Sequence, residues 1–94
     1  SATKFHLGNA YPNPFNPITT INYTLGQKGN ATLKIFNLKG KLVRTLKTGW
    51  HMNGKHTAKW DGKDNAGLIV TSGTYISRVS TSDGYKSRKV TFLK

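Results

Sequence analysis

Apolar residues in this chain recur at every second position, in short runs cut apart by turn formers, and no window holds them at helical spacing. Period-two alternation is the pattern of strands with one buried and one wet face. In residues 18–25, Ile21, Tyr23 and Leu25 fall on one face, with Thr20, Asn22 and Thr24 opposite. In residues 31–37, Ala31, Leu33 and Ile35 alternate with Thr32, Lys34 and Phe36. A weakly alternating run at residues 4–7 reads as an edge strand, and residues 42–46 as a short strand after a turn at 38–41. Residues 56–60 are extended, with Ala58 and Trp60 on one face. Residues 74–80 and 85–93 read as a hairpin around Asp83-Gly84, the strongest two-residue turn signal present. Turns are expected at 26–30 and 61–67, and a loop carrying Gly49, Trp50 and Gly54 at 47–55. The expectation is one all-β, antiparallel domain, a sandwich or a barrel.

Composition bounds what such a domain can do. Its 94 residues, 35% of them apolar, suffice for a single core. There is no cysteine, which excludes a disulfide framework and thiolate metal sites. No run reaches even ten apolar residues, so neither a membrane span nor a signal peptide is expected within this stretch. The charge is the unusual feature: fifteen Lys and Arg against three acidic residues, a formal net charge of +12. Such an excess attracts polyanions, with nucleic acid, anionic lipid headgroups and acidic polysaccharides as candidate partners, and is screened by salt. If the cations gather on one face, a binding patch exists; if they are spread, they are a solvated surface. Phosphate contacts by lysine need no special fold, but the chain has no helix for a groove, no aromatic RNA-binding motif and no zinc-finger spacing. No specific nucleic-acid partner is expected.

Three prolines punctuate Pro12-Asn13-Pro14-Phe15-Asn16-Pro17. They fix φ and force their predecessors out of the helical region, giving an ordered extended segment whose Tyr11 and Phe15 are expected to plug the edge of the core. The segment is either a recognition loop or a rigid crossover that closes one edge of the sandwich, and the second is the default. Further along come Leu33-Lys34-Ile35-Phe36-Asn37 with Gly40, Gly54-Lys55-His56-Thr57, Trp60-Asp61-Gly62, Asp64-Asn65-Ala66-Gly67, Ser72-Gly73-Thr74-Tyr75, and the ending Lys89, Val90, Thr91, Phe92, Leu93 and Lys94. In this order and spacing, over residues 7–94, they resemble the C-terminal sorting domain of cargo exported by the bacterial type IX secretion system. They are similar as well to the Ig-like domain of the flagellar hook-capping protein.

The resemblance implies an Ig-like or fibronectin III-like antiparallel β-sandwich of about seven strands, the C-terminal module of a larger secreted protein. It implies passage through the periplasm to the cell surface or medium. Outer-membrane export machinery, and a sortase-like peptidase that attaches cargo to lipopolysaccharide, would be the partners. The sorting signal would lie in residues 89–94. Deleting them from a fusion is then expected to abolish export and leave an otherwise folded body. Where the family is often near neutral, this chain is strongly basic, which leaves room for a domain that itself adheres to an anionic surface.

Individual residues carry little chemistry. Trp60 is expected in the core, and Tyr75 resembles the tyrosine corner of Ig-like folds, where a buried ring bonds nearby backbone through its hydroxyl. Trp50 is either an exposed platform for a sugar ring, joined by Tyr85 or Phe36, or a loop ring folded over the sandwich edge. Asp61, Asp64 and Asn65 are weak candidates for calcium, but the spacing is not that of an EF-hand and Asx-turn bonding accounts for all three. His6, His51 and His56 have no recognised zinc spacing. No paired catalytic carboxylates, nucleophile elbow or phosphate loop stands out, so neither an enzyme nor a cofactor is expected. A structural role as a spacer or appendage subunit is the remaining alternative.

Overall fold

The computed structural model describes residues 5–94. In chain order the strands are β1 (His6–Leu7), β2 (Thr19–Leu25), β3 (Gly29–Asn37), β4 (Leu42–His51), β5 (Gly54–Trp60), β6 (Gly73–Thr81) and β7 (Gly84–Phe92). They make two antiparallel sheets, β1-β2-β5 and β4-β3-β6-β7. The fourth strand has joined the third instead of pairing with the fifth, which is the fibronectin III-like variant of the Ig-like sandwich. No helix among the described residues is long and apolar enough to cross a membrane.

The alternation in β2 and β3 builds the core as expected. Ile21, Tyr23 and Leu25 from one sheet meet Ala31, Leu33, Ile35 and Val79 from the other, all buried. Each fully buried aliphatic contributes about 1.5–3 kcal/mol relative to exposure, so the facing rows set the register of both sheets. Polar groups that enter the core carry their own partners. The buried Thr19 hydroxyl donates to the Pro12 carbonyl (2.7 Å), and Ser77 Oγ donates to the Arg88 carbonyl (3.2 Å).

Two sequence expectations need correction. The strand after the turn at 38–41 does not stop at residue 46. It runs ten residues to His51, and β5 begins at Gly54, so the expected loop is only a tight connection at Met52-Asn53. The alternation is scrambled there because β4 shifts register twice against β3, between Leu33 and Lys34 and between Ile35 and Phe36. As an edge strand it also has little to bury. Tyr11 is the second correction: it is 80% exposed, not plugged into the core. Its backbone bridges Thr20 in both directions, which turns Ala10 inward and Tyr11 outward. Of the run expected at 4–7, Lys4 lies outside the described residues and the strand is His6–Leu7.

The ends of the sandwich are distinct, and its long axis measures 41 Å. At one pole Phe5 lies with the 26–28 turn and the 81–83 hairpin. At the other, residues 16–18 and 61–69 surround the chain's last residues.

Candidate functional site

The candidate sorting strand is held on both sides. Toward the sheet, Val90 pairs with Tyr75, Thr91 with Thr74 and Phe92 with Gly73. Toward what would be the open edge, the proline segment takes the place of a further strand. Phe15 N–H donates to the Thr91 carbonyl (2.9 Å) and Leu93 N–H donates to the Phe15 carbonyl (3.1 Å). Asn13 extends the zipper: its side-chain oxygen accepts from Thr91 N–H (2.9 Å) and its amide donates to the Lys89 carbonyl (3.2 Å). The prolines cannot donate and so do not compete for these bonds. An edge strand left bare is a template for adventitious pairing, and this arrangement removes it along the last third of β7.

Side chains reinforce the zipper from inside. Phe15 packs on Trp60 (ring centres 5.2 Å apart) and on Phe92 (5.0 Å), and Trp60 meets Tyr75 edge-on (5.3 Å). The Tyr75 hydroxyl donates to the Thr71 carbonyl at 2.7 Å, four residues upstream at the entry to β6, which is the tyrosine-corner bond. The Trp60 indole N–H donates to the Lys63 carbonyl (2.9 Å). Val90 and Phe92 are therefore core residues as much as candidate signal, while Lys89, Leu93 and Lys94 keep their side chains outside. Deleting residues 89–94 takes two core side chains with it, so the truncated body is expected to lose its fold where the sequence alone suggested an intact one.

Gly62 shows how tightly this end is built. Its φ is +73°, and a Cβ there would stand 2.8 Å from the Phe92 ring. Gly62→Ala is expected to destabilise by roughly 1–3 kcal/mol, from left-handed backbone strain together with displacement of the Phe92 ring. Gly67→Ala has a similar φ of +86° but open space around the site. Urea midpoints that fall equally for both variants would mean the ring contact is immaterial.

The calcium candidates are engaged in turn bonding. Asp61 Oδ1 accepts from Arg44 and from Lys63 N–H (3.1 Å each), and Asp64 Oδ1 accepts from Ala66 N–H (2.9 Å) and Leu68 N–H (3.0 Å). Asn65 instead covers the other exposed edge. Its N–H donates to the Val43 carbonyl and its side-chain oxygen accepts from Thr45 N–H on β4 (3.0 Å each). Among the histidines, His51 and His56 converge on Tyr23, a meeting that spacing alone did not reveal. His51 Nε2 lies 2.9 Å from the Tyr23 hydroxyl and Nδ1 2.9 Å from the Gly49 carbonyl, which can only accept, so Nδ1 carries a proton and donates to it. The His56 ring stacks on Tyr23, and burial raises the Tyr23 phenol above its ordinary value. These rings pin β4 to the opposite sheet.

Trp50 lies on a strand, not in a loop, and does not fold over the edge; it is 64% exposed. It shares the outer face of the four-stranded sheet with Tyr85, but β4 and β7 are that sheet's opposite edges. Three strand spacings, roughly 14 Å, separate them. Tyr85 instead flanks Arg78, whose guanidinium sits 4.4 Å from the Tyr85 ring centre and 5.1 Å from that of Phe36. No single platform forms.

The cations are likewise dispersed. Lys34, Arg78 and Lys89 occupy the outer face of one sheet and Lys55 and Lys59 that of the other, with further lysines in the turns. Lys86 and Arg88 point inward along β7 and clasp β1. Arg88 donates to the Leu7 carbonyl (3.0 Å) and the Lys86 ammonium lies 5.5 Å from the Phe5 ring centre. This is the arrangement of a solvated surface and of charged edge protection, not of one patch.

Comparison with known proteins fits this architecture. Residues 17–84 match the model of the FlgD Ig-like domain. The basal-body rod modification protein FlgD of Salmonella typhimurium is 40% identical over 54 residues, covering 57% of this chain and 23% of that protein. The chain thus spans about a quarter of the length of the curated relatives it matches. Among solved structures, FlgD from P. aeruginosa superposes with a TM-score of 0.62 at 29% identity, over 79% of this chain and 58% of that one. Dimeric latent PorU from Porphyromonas gingivalis gives 0.70 at 19% identity, over 99% of this chain and 10% of its own. PorZ, a surface component of the type IX secretion system of the same organism, gives 0.57 at 22% identity, over 96% and 11%. At those identities PorU and PorZ share the fold. The FlgD match, which takes in β2 through β6, carries the kinship: the chain belongs to the family of FlgD Ig-like domains.

Proposed function

We propose that this domain is a non-catalytic C-terminal sorting module that directs an attached protein through the type IX secretion system to the cell surface or medium. One observation carries the reading. The segments outside the family match, residues 5–16 and 85–94, are the ones that zip together around Phe15 and Thr91. The last strand is thus a built C-terminal end, held along both edges. The superpositions on PorU and PorZ, which take in nearly the whole chain, support the same assignment.

The test is a periplasm-targeted reporter fused to residues 1–94 in a bacterium with a type IX system. The wild-type fusion is expected outside the cell. The variant Lys89→Ala/Leu93→Ser/Lys94→Ala, which spares Val90 and Phe92, is expected to stay in the periplasm with an unchanged melting profile. Periplasmic retention of the wild-type fusion would reject the sorting role. It would favour a second reading, a structural element of a surface appendage, which the 40% identity to a basal-body rod modification protein supports.

A further inference from the structure

Exposed aliphatic side chains gather at the pole where the chain ends. Ile18 and Ile69 are 46% and 58% exposed, and with Pro17 and Phe92 they line an open hollow of about 510 Å³. Leu68 and Leu93, their sequence neighbours, are exposed as well. These residues come from three separate stretches of sequence, so their meeting is a product of the fold. Ile18 falls just before β2 and Ile69 bridges back to Lys63 at the close of the 61–67 turn. An apolar hollow on a small domain is a candidate contact site, because burying it against a partner recovers about 25 cal/mol per Å².

The rim decides the partner. Lys63 and Lys94 both line the hollow. The acidic residue there, Asp61, is paired with Arg44 at 3.1 Å. The side chains of the rim are therefore net positive, and a second copy of this chain would bring lysines against their equals on a body of net charge +12. An occupant with carboxylates beside its apolar side chain meets both requirements. Backbone recognition is closed off here, since the zipper on Phe15 and the pairing with β6 occupy both edges of residues 90–92. The pole also lies away from Phe5, at the far end of the long axis, so a protein joined ahead of Phe5 leaves it open.

We propose that the hollow between Ile18, Ile69 and Phe92 is a docking site for a protein segment presenting an aliphatic or aromatic side chain flanked by acidic residues. Placing that segment in the export machinery rests on the sorting reading; the docking chemistry does not. Recognition then falls on side chains at the tip of the sandwich and not on strand addition.

The first measurement is methyl NMR of residues 1–94 titrated with the peptides Asp-Leu-Phe-Asp and Lys-Leu-Phe-Lys. The δ-methyls of Ile18 and Ile69 are expected to shift with the acidic peptide, with a dissociation constant on the order of 1 mM, and not with the basic one. Ile21 and Ile35, fully buried, and Ile76, on the outer sheet face, serve as internal references. Ile18→Asp/Ile69→Asp is expected to abolish the peptide-induced shift of the Phe92 ring protons, followed in aromatic spectra of the same samples, and to reduce export of the reporter fusion by at least about tenfold. Trp50→Asp leaves both unchanged, and the conservative Ile69→Leu retains both. Equal shifts with either peptide, or none at Ile18 and Ile69, would overturn the docking site whatever the export result. Export of the double variant at the wild-type level would overturn it as the surface read by the machinery. Specific shifts with a wild-type fusion that is never exported would uphold the site and reject the sorting role instead.

Discussion

Removal of residues 89–94 is expected to abolish cooperative folding, not merely to strip a signal from an intact body. Val90 is fully buried and Phe92 nearly so. Phe92 lies 5.0 Å from the Phe15 ring and 6.4 Å from Trp60, over a glycine that exists to admit it. Losing a buried valine and a buried phenylalanine costs together on the order of 5 kcal/mol from burial and cavity terms. The cut also releases β6 from its partner over residues 73–76 and removes the acceptors and donors that hold Asn13 and Phe15. Each buried backbone group so orphaned adds about 1–3 kcal/mol. A domain of this size holds roughly 5–15 kcal/mol in total, so the sum removes most or all of its stability. Urea unfolding followed by circular dichroism should lose its sigmoidal transition in the truncated chain. Single exposed substitutions at Lys89, Leu93 and Lys94 should stay within about 0.5 kcal/mol of wild type. A truncated chain that unfolds cooperatively near the wild-type midpoint would show that the zipper is dispensable. Any export defect caused by the deletion would then have to be read as loss of a signal.

The rows that fill the core were legible because they alternate against a flat neighbour. β2 and β3 pair in unbroken register on one side each, so Ile21, Tyr23, Leu33 and Ile35 declare their face in the sequence. Trp60 and Tyr75 were legible for a second reason: a turn former or a strand start beside an aromatic fixes its direction. β4 was not, because two register shifts and an edge position free Arg44, Thr45, Lys47 and Thr48 from any alternating demand. Phe15 and Tyr11 illustrate the same limit within one segment. Both are aromatic among prolines, yet only the one whose backbone bonds β7 is turned inward. The zipper itself joins Asn13 to residues 76 and 78 positions away, and the hollow joins residues 18, 69 and 92. Nothing local in a sequence announces such meetings. Fold class is carried by short-range periodicity, whereas the candidate site is assembled entirely from long-range pairing.

Trp60→Ala is expected to be the most damaging single substitution in the chain, and Trp50→Ala nearly silent, although the two indoles are ten residues apart on consecutive strands, one in each sheet. Trp60 is fully buried at the point where Phe15, Tyr75 and Phe92 converge. Its truncation leaves a large cavity lined by rings that cannot collapse without moving the proline segment, the tyrosine corner and the last strand together. The expected loss is about 3–5 kcal/mol. The Lys63 carbonyl loses the indole donor but keeps Arg44 at 3.1 Å, so that acceptor adds little to the loss. Trp50 stands with most of its ring in solvent on an edge strand, and its removal should change stability by less than about 0.5 kcal/mol. Fluorescence separates the two, since these are the only tryptophans. The Trp50→Ala protein should emit as a buried indole and shift red on unfolding, while Trp60→Ala should emit as an exposed one throughout. Comparable losses from both substitutions would mean that Trp50 packs against something, and the outer face of the four-stranded sheet would then need a different account. A loss below about 1 kcal/mol for Trp60→Ala would mean that the aromatic cluster does not couple Phe15 to Phe92. The zipper would then hold the last strand by its backbone bonds alone.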